Sequence, residues 1–337
     1  MTGLLDTVPS ALESRLSPAA PGVELAASPM LATLSDRRDF PDGWIFERKL
    51  DGIRVLAVRE GGTVTLRSRS GRKLDATYPE IVDALAAQDC ADFTIDGEIV
   101  AYSHGRTDFG RLQQRMGLTR PADVARSKVA VTYYAFDLLR LDGTDLRRLP
   151  LRTRKSLLHN ALTFRAPLRL STHRNAGGPE LLADACKRGW EGLIAKRADS
   201  MYQARRSEDW LKLKCAQGQE FVVGGFTEPT GSRQGIGALL IGYYEDGRLR
   251  YAGKVGTGFD QKTLTALRDR LDALQADTSP FEGRPAAPPT AHWTRPRLVA
   301  QIAFSEWTRD GMLRHPRYQG LREDKKPTDV IKERAKT

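Results

Sequence analysis

Cysteine is scarce in this chain: Cys90, Cys186 and Cys215 are the only three, and none forms a CxxC pair. Their separation argues against a zinc knuckle or a disulfide framework and fits a reducing cytoplasm. The five histidines show no metal-ligand spacing and read as surface or capping residues. No apolar run approaches the ~20 residues of a membrane span. The opening Met1-Thr2-Gly3-Leu4-Leu5-Asp6 carries an early acid and no basic segment, unlike a secretory signal. Internal repeats and heptads are absent as well, which sets aside solenoids and coiled coils.

What the chain does have is length and positive charge. Its 337 residues suffice for about two domains, each with its own core. The formal net charge of +11 points to a polyanionic partner, nucleic acid first. Residues 1–28, rich in Ala, Pro, Ser and Leu with little periodicity, read as a mobile or loosely docked arm. From 29 to 217 strand-like runs (44–50, 53–59, 63–69, 94–101, 130–138, 192–197, 210–214) mix with helical stretches (78–88, 108–115, 151–160, 178–188). From 218 to 337 the texture becomes β-rich. Strands are expected at 220–227, 238–245, 249–255 and 298–308, with a helix at 260–274 and a Pro-rich loop at 280–289. Glu245-Asp246-Gly247 reads as a hairpin turn. The whole is α+β, ending in a small Greek-key barrel of the OB type, with an open sandwich fitting nearly as well.

The segment Glu47-Arg48-Lys49-Leu50-Asp51-Gly52-Ile53-Arg54 is the richest in chemistry. As a strand, 44–50 puts Ile45, Glu47 and Lys49 on one face and Trp44, Phe46 and Arg48 on the other. Asp51-Gly52 reads as a tight turn into a return strand from Ile53. Nearby cations and partial desolvation would lower the pKa of Lys49 and free its lone pair for attack; the plainer alternative is a surface hairpin with solvated charges. In Thr94-Ile95-Asp96-Gly97-Glu98, alternation aligns Asp96 with Glu98, and Glu191 stands at the mouth of the strand Gly192–Lys196. Two carboxylates at strand ends suit a hard divalent cation, though each alone is commonly an ordinary rim acid. In Trp210-Leu211-Lys212-Leu213-Lys214 the lysines share a face one strand period, about 6–7 Å, apart, which suits neutralising adjacent phosphate oxygens; an edge strand with solvated lysines is the alternative. Tyr133-Tyr134-Ala135-Phe136 offers an aromatic to stack a purine or to pack a core.

In this order the segments resemble the motif set of ATP-dependent DNA ligases: ERKLDGIR (47–54), SRSG (68–71), TIDGE (94–98), YYAFDLL (133–139), EGLIAK (191–196), WLKLK (210–214) and RHPRYQGLREDKKP (314–327). The similarity spans about residues 28–330, and GWEGLIAK, FSEWTRDGMLRHP and GLREDK look closest to the compact bacterial ligases of non-homologous end joining.

The resemblance implies ATP and Mg2+ (or Mn2+) as cofactors and Lys49 as the carrier of AMP. It further implies that Glu47 reads the adenine edge, Phe136 stacks on the base, and Arg54 and Arg69 contact sugar or phosphates and later the 5′-phosphate of a nick. Glu98 and Glu191 would serve the metal, and Lys212 and Lys214 would grip the α-phosphate. Arg314, Arg317, Asp324 and Lys325 would orient pyrophosphate, while Arg206 and the segment around Phe109 would lie near DNA. The expected partners are nicked or broken double-stranded DNA, an end-binding protein and a separate repair polymerase. The expected state is a monomer in the cytoplasm, associated with the nucleoid. Rival readings are an RNA ligase or an mRNA-capping guanylyltransferase, which share K-x-D-G, and a non-catalytic OB-type nucleic-acid binder.

Overall fold

The computed structural model describes residues 3–90, 92–215, 218–231, 234–283 and 290–333. Two compact units result, one built on Met1–Cys215 and the other on Ala216–Glu333. In chain order the main elements of the first are β1 (Leu31–Leu34), β2 (Trp44–Arg48), β3 (Ile53–Glu60), β4 (Thr63–Ser68), α1 (Pro79–Ala86), β5 (Phe93–Ser103), α2 (Phe109–Gln113), β6 (Val131–Leu141), α3 (Leu151–Ala161), α4 (Gly178–Lys187), β7 (Gly192–Arg197) and β8 (Arg206–Lys214). One antiparallel sheet runs β4–β3–β5–β6 and continues into the short strands Thr144–Asp145 and Ser17–Pro18. A second runs from His173–Arg174 through β2, β7 and β8 to β1, with the β8–β1 pair parallel.

Alternation sorts the side chains of these sheets into layers. Val55 and Ala57 of β3 pack with Ile81 and Leu85 of α1 and Leu157 and Leu158 of α3. Leu56 and Val58, of the opposite parity, meet Ile45, Phe136 and Trp210 between the two sheets. Beyond the second sheet, Trp44, Phe46, Leu193 and Leu211 bury against Leu182 and Ala185 of α4. Each such side chain contributes roughly 1.5–3 kcal/mol when fully buried.

Three expectations change here. Asp51-Gly52 does not close a hairpin, because β2 and β3 belong to different sheets. The chain crosses from one sheet to the other, and a Cβ on Gly52 would lie 2.2 Å from the Ile99 carbonyl oxygen. Glycine is required for that close approach. Residues 3–28 are firmly docked, with Val8, Leu25 and Ala26 buried and Ser17–Pro18 paired to Thr144–Asp145. Their helical pieces are four residues each, too short to show a period in sequence. Finally, Cys186 and Cys215 form a disulfide, so two of the three cysteines are paired despite a separation of 29 residues. Strand β7 follows α4 and pairs with β8, which brings the helix end beside the strand end.

The second unit contains β9 (Gly218–Thr227), β10 (Leu239–Glu245), β11 (Arg248–Val255), α5 (Gln261–Asp272), β12 (Ala291–Ala303) and β13 (Arg317–Leu321). Its sheet runs β11–β10–β9–β12, with β13 and the short strand Gln275–Ala276 both on β12. Asp246 and Gly247, with φ of 51° and 75°, make the expected two-residue hairpin between β10 and β11. The Asp260 carboxylate accepts from Thr263 N–H at 2.7 Å and caps α5, whose Leu264, Leu267 and Leu271 are buried. Strand β12 starts at Ala291 rather than 298. Pro296 sits where the register with β9 shifts between Trp293 and Leu298, and it hides the strand in the sequence. Most of the Pro-rich segment 280–289 lies outside the described residues. The arrangement is the expected β-rich OB-type domain, and no helix among the described residues is long and apolar enough to cross a membrane.

Cys186→Ser, or a dithiol reductant, should destabilise the first unit by about 2–4 kcal/mol. Thermal melts with and without reductant check this; identical melting in both would mean that the two thiols are not joined.

Candidate active site

The registers between β2, β7 and β8 assemble one face of the second sheet. Ile45, Lys196 and Trp210 form one row; Glu47, Ile194 and Lys212 form the next. Lys49 N–H donates to Gly192 O at 2.9 Å, and Gly192 pairs with Lys214, which adds a third row. Glu47, Lys49, Lys212 and Lys214 therefore share the face turned toward the first sheet, as the period-2 reading required. From that sheet Arg54, Asp96, Glu98 and Phe136 have the facing parity.

Lys49 ends in an ion pair with Glu191, Nζ to Oε2 at 2.6 Å, with side chains 19% and 29% exposed. Burial opposes the charged ammonium, but Glu191, Glu98 and Asp51 outweigh it and hold the pKa above the ordinary lysine value. This reverses the expectation of a nucleophile activated by flanking arginines. Arg48 points to the opposite face, 4.6 Å over the Trp190 ring and 3.0 Å from Thr107 Oγ1. Arg54 is clamped by both oxygens of Asp96, with Tyr202 OH donating to the same carboxylate at 2.6 Å. Lys49 is thus stored as a cation, and to serve as the expected nucleophile it would have to lose Glu191 and its proton.

Glu47 is 3% exposed, and both of its carboxylate oxygens accept hydrogen bonds. Its Oε1 accepts from Lys155 Nζ at 2.9 Å; its Oε2 accepts from Lys196 Nζ at 3.1 Å and Ser171 Oγ at 3.0 Å. Burial alone would raise its pKa, but the two ammonium groups bring it down to about 2. For Lys196, burial and Lys155 overcome the attraction of Glu47 and lower the pKa to about 8. Phe136 lies in the same cluster at 8% exposure, with Arg54 Cζ 4.8 Å and Lys196 Nζ 4.3 Å from its ring centre. Lys155 and Ser171 were not among the residues singled out from sequence, Lys196 entered only as the end of a strand, and Asp96 only through its alignment with Glu98. Helix α3 did carry a signal: Leu151, Arg154, Lys155 and Leu158 follow i, i+3, i+4, i+7, so two cations occupy core positions.

The remaining first-unit candidates are more dispersed. Arg69 is half-buried in the turn after β4, where Gly71 N–H donates to Ser68 O at 2.8 Å. Arg206 is exposed at the start of β8 and donates to Ala32 O at 2.6 Å. Phe109 is corrected: it is 4% exposed in the core and packs α2, so its ring is not offered to DNA. Glu191 touches the Lys49 amine, and Glu98 acts on its charge from the facing sheet. Among the described residues no group of three or more His, Cys, Asp or Glu could hold a metal by itself. A carboxylate pair completed by substrate phosphates and water suits Mg2+.

In the second unit, Arg314 is exposed and pairs with Glu306 at 2.7 Å, and Arg317 is exposed at the start of β13. Asp324 is corrected as a ligand-facing group. It is 3% exposed and held by Arg322 through two hydrogen bonds of 2.9 Å. Lys325 Nζ meets Glu220 at 3.0 Å. These two residues fix the segment after β13 within its own unit.

Residues 29–214 match the family model described as ATP dependent DNA ligase domain, and residues 232–325 the one described as ATP dependent DNA ligase C terminal region. The chain belongs to the ATP-dependent DNA ligases. It is therefore an enzyme of the nucleotidyltransferase type, which sets aside the capping, RNA-ligase and non-catalytic readings. Among its relatives, the "Multifunctional non-homologous end joining protein LigD" of Pseudomonas aeruginosa is 41% identical over 316 residues, 91% of this chain and 36% of that protein. A "Probable DNA ligase" of Anaeromyxobacter dehalogenans is 34% identical over 360 residues, 97% of this chain and 67% of that one. A solved structure, "mycobacterial DNA ligase D complexed with ATP and MES", aligns at TM-score 0.63 and 37% identity, covering 91% of this chain and 98% of that one. The ligase chain spans 36–40% of the length of the first LigD relatives it matches.

Because Glu191 holds the Lys49 proton on, Glu191→Gln should lower the lysine pKa. The acid limb of single-turnover adenylate formation is expected to move to lower pH even as the maximum rate drops; an acid limb that stays put would mean that Glu191 does not control this proton.

Proposed function

We propose that this ligase seals 3′-hydroxyl/5′-phosphate breaks in double-stranded DNA by three nucleotidyl transfers, with Lys49 as the carrier. The observation that carries the reading is the placement of Lys49, Glu47, Lys212 and Lys214 on one sheet face, with Glu191 on the lysine itself. Neutral Lys49 attacks the α-phosphorus of ATP in line, forming a phosphoramidate and releasing pyrophosphate. Lys212 and Lys214 neutralise the non-bridging oxygens as charge develops. The DNA 5′-phosphate then takes AMP from Lys49, and the 3′-hydroxyl attacks that phosphate and expels AMP. Glu98 and Glu191 are the residues that would hold Mg2+ or Mn2+, which would supply neutralisation of phosphate charge.

Glu47 and Phe136 serve the adenine, while Arg54 and Arg69 serve sugar and phosphate. Arg206 serves the DNA backbone, and Arg314 and Arg317 the departing pyrophosphate. The LigD relatives support a place in end joining, with an end-binding protein and a repair polymerase as partners. Such a ligase works as a monomer on DNA in the nucleoid, and its binding weakens steeply with salt.

Incubation with labelled ATP and a divalent metal should give an acid-labile protein adduct that is lost in Lys49→Ala. An adduct surviving in that variant would sink the assignment. Lys214→Ala should reduce adenylation at least tenfold more than Leu213→Val, since only the lysine faces the site; equal rates would show that the facing is misread.

A further inference from the structure

Helix α3 delivers two cations to the interior from adjacent positions. Arg154 is fully buried and clamps Asp137 of β6 with contacts of 2.7 and 2.9 Å. Lys155, 5% exposed, has a different set of partners: Glu47 Oε1 at 2.9 Å, Ser171 O at 3.1 Å and Phe136 O at 3.4 Å. An ammonium has three donors, and these three acceptors use them all. Glu47 belongs to the second sheet and Phe136 to the first. One amine thus ties the sheets together where the carboxylate and the aromatic ring meet.

The count on the carboxylate side is equally informative. An ionised carboxylate has about four lone-pair sites. Lys196 and Ser171 occupy two on Oε2, and Lys155 occupies one on Oε1. The site left over is on the oxygen that Lys155 grips. An acceptor there suits the exocyclic amine of adenine, whereas guanine presents an oxygen at the same position. A carboxylate held with only its acceptor side open attracts the first and repels the second.

We propose that Lys155 is a positioning residue for purine selection: by holding Glu47 Oε1 and the Phe136 carbonyl together, it aims the remaining lone pair of Glu47 at the exocyclic amine of ATP. Lys155 itself does not touch the nucleotide. The inference rests on the reading of Glu47 and Phe136 as the purine pocket. The depressed pKa of Glu47 agrees with a carboxylate kept ionised for this purpose.

The test uses the full chain in single-turnover adenylation with labelled ATP and GTP. Lys155→Met should raise KM for ATP tenfold or more while kcat falls less than threefold, and the preference for ATP over GTP should shrink by a similar factor. Lys155→Arg, which keeps the charge, should recover part of that preference. Wild-type KM and preference in Lys155→Met would overturn the proposal, as would a loss of kcat with the preference intact, since that is what a merely structural lysine would give. Should Lys155→Met fail to melt cooperatively, Ser171→Ala carries the test. It removes one of the donors that fix the carboxylate's orientation on Oε2, and should cut the preference two- to threefold; an unchanged preference overturns the positioning argument. Labelling that persists in Lys49→Ala would instead bring down the ligase reading itself, whereas a dead Lys49→Ala beside a wild-type-like Lys155→Met removes only the role of Lys155.

Discussion

The ion pair between Lys49 and Glu191 is the contact that the proposed chemistry has to undo. A protonated lysine is no nucleophile, and here the surroundings favour the proton. The resting enzyme is consequently guarded: its amine is locked until something draws Glu191 away. In the proposed mechanism a divalent cation held by Glu191 would loosen that lock. Lys212 and Lys214 lie on the same face, which puts positive charge on the side of the sheet where the proposed mechanism needs it.

Between the sheets the protein buries three sets of charges: Arg54 with Asp96, Arg154 with Asp137, and Glu47 with Lys155 and Lys196. Such pairs seldom add much net stability, because desolvation offsets the attraction, yet losing one member costs about 3–5 kcal/mol. Their effect is geometric. Each links elements that are distant in sequence and leaves the side chain one satisfied arrangement, which is what a site needing sub-ångström placement requires.

The sequence carried the layer structure well wherever a period decided it. Alternation paired Glu47 with Lys49 along β2 and Lys212 with Lys214 along β8, the strand registers bring the two pairs to one face, and Asp246-Gly247 announced its hairpin. Where two physical causes write the same residues, it was ambiguous: Asp51-Gly52 reads as a turn, but the glycine answers to the Ile99 carbonyl at a sheet crossing. The proton affinity of Lys49 was misjudged because its neighbours along the chain are arginines while its neighbours in space are carboxylates. Lys155 and Glu47 are 108 residues apart, and no local pattern pairs them. The disulfide escaped for the same reason, since α4 and the end of β8 meet only through β7.

Cys215 directly follows Lys214 and is fastened twice, by its disulfide to α4 and by its backbone N–H to Glu191 O at 3.1 Å. Whatever pulls on the chain beyond this residue meets a covalent stop before it reaches the lysine. The second of those fastenings is to the very residue whose side chain guards Lys49. The last lysine of the sheet and the partner of Lys49 are thus held next to one anchored residue.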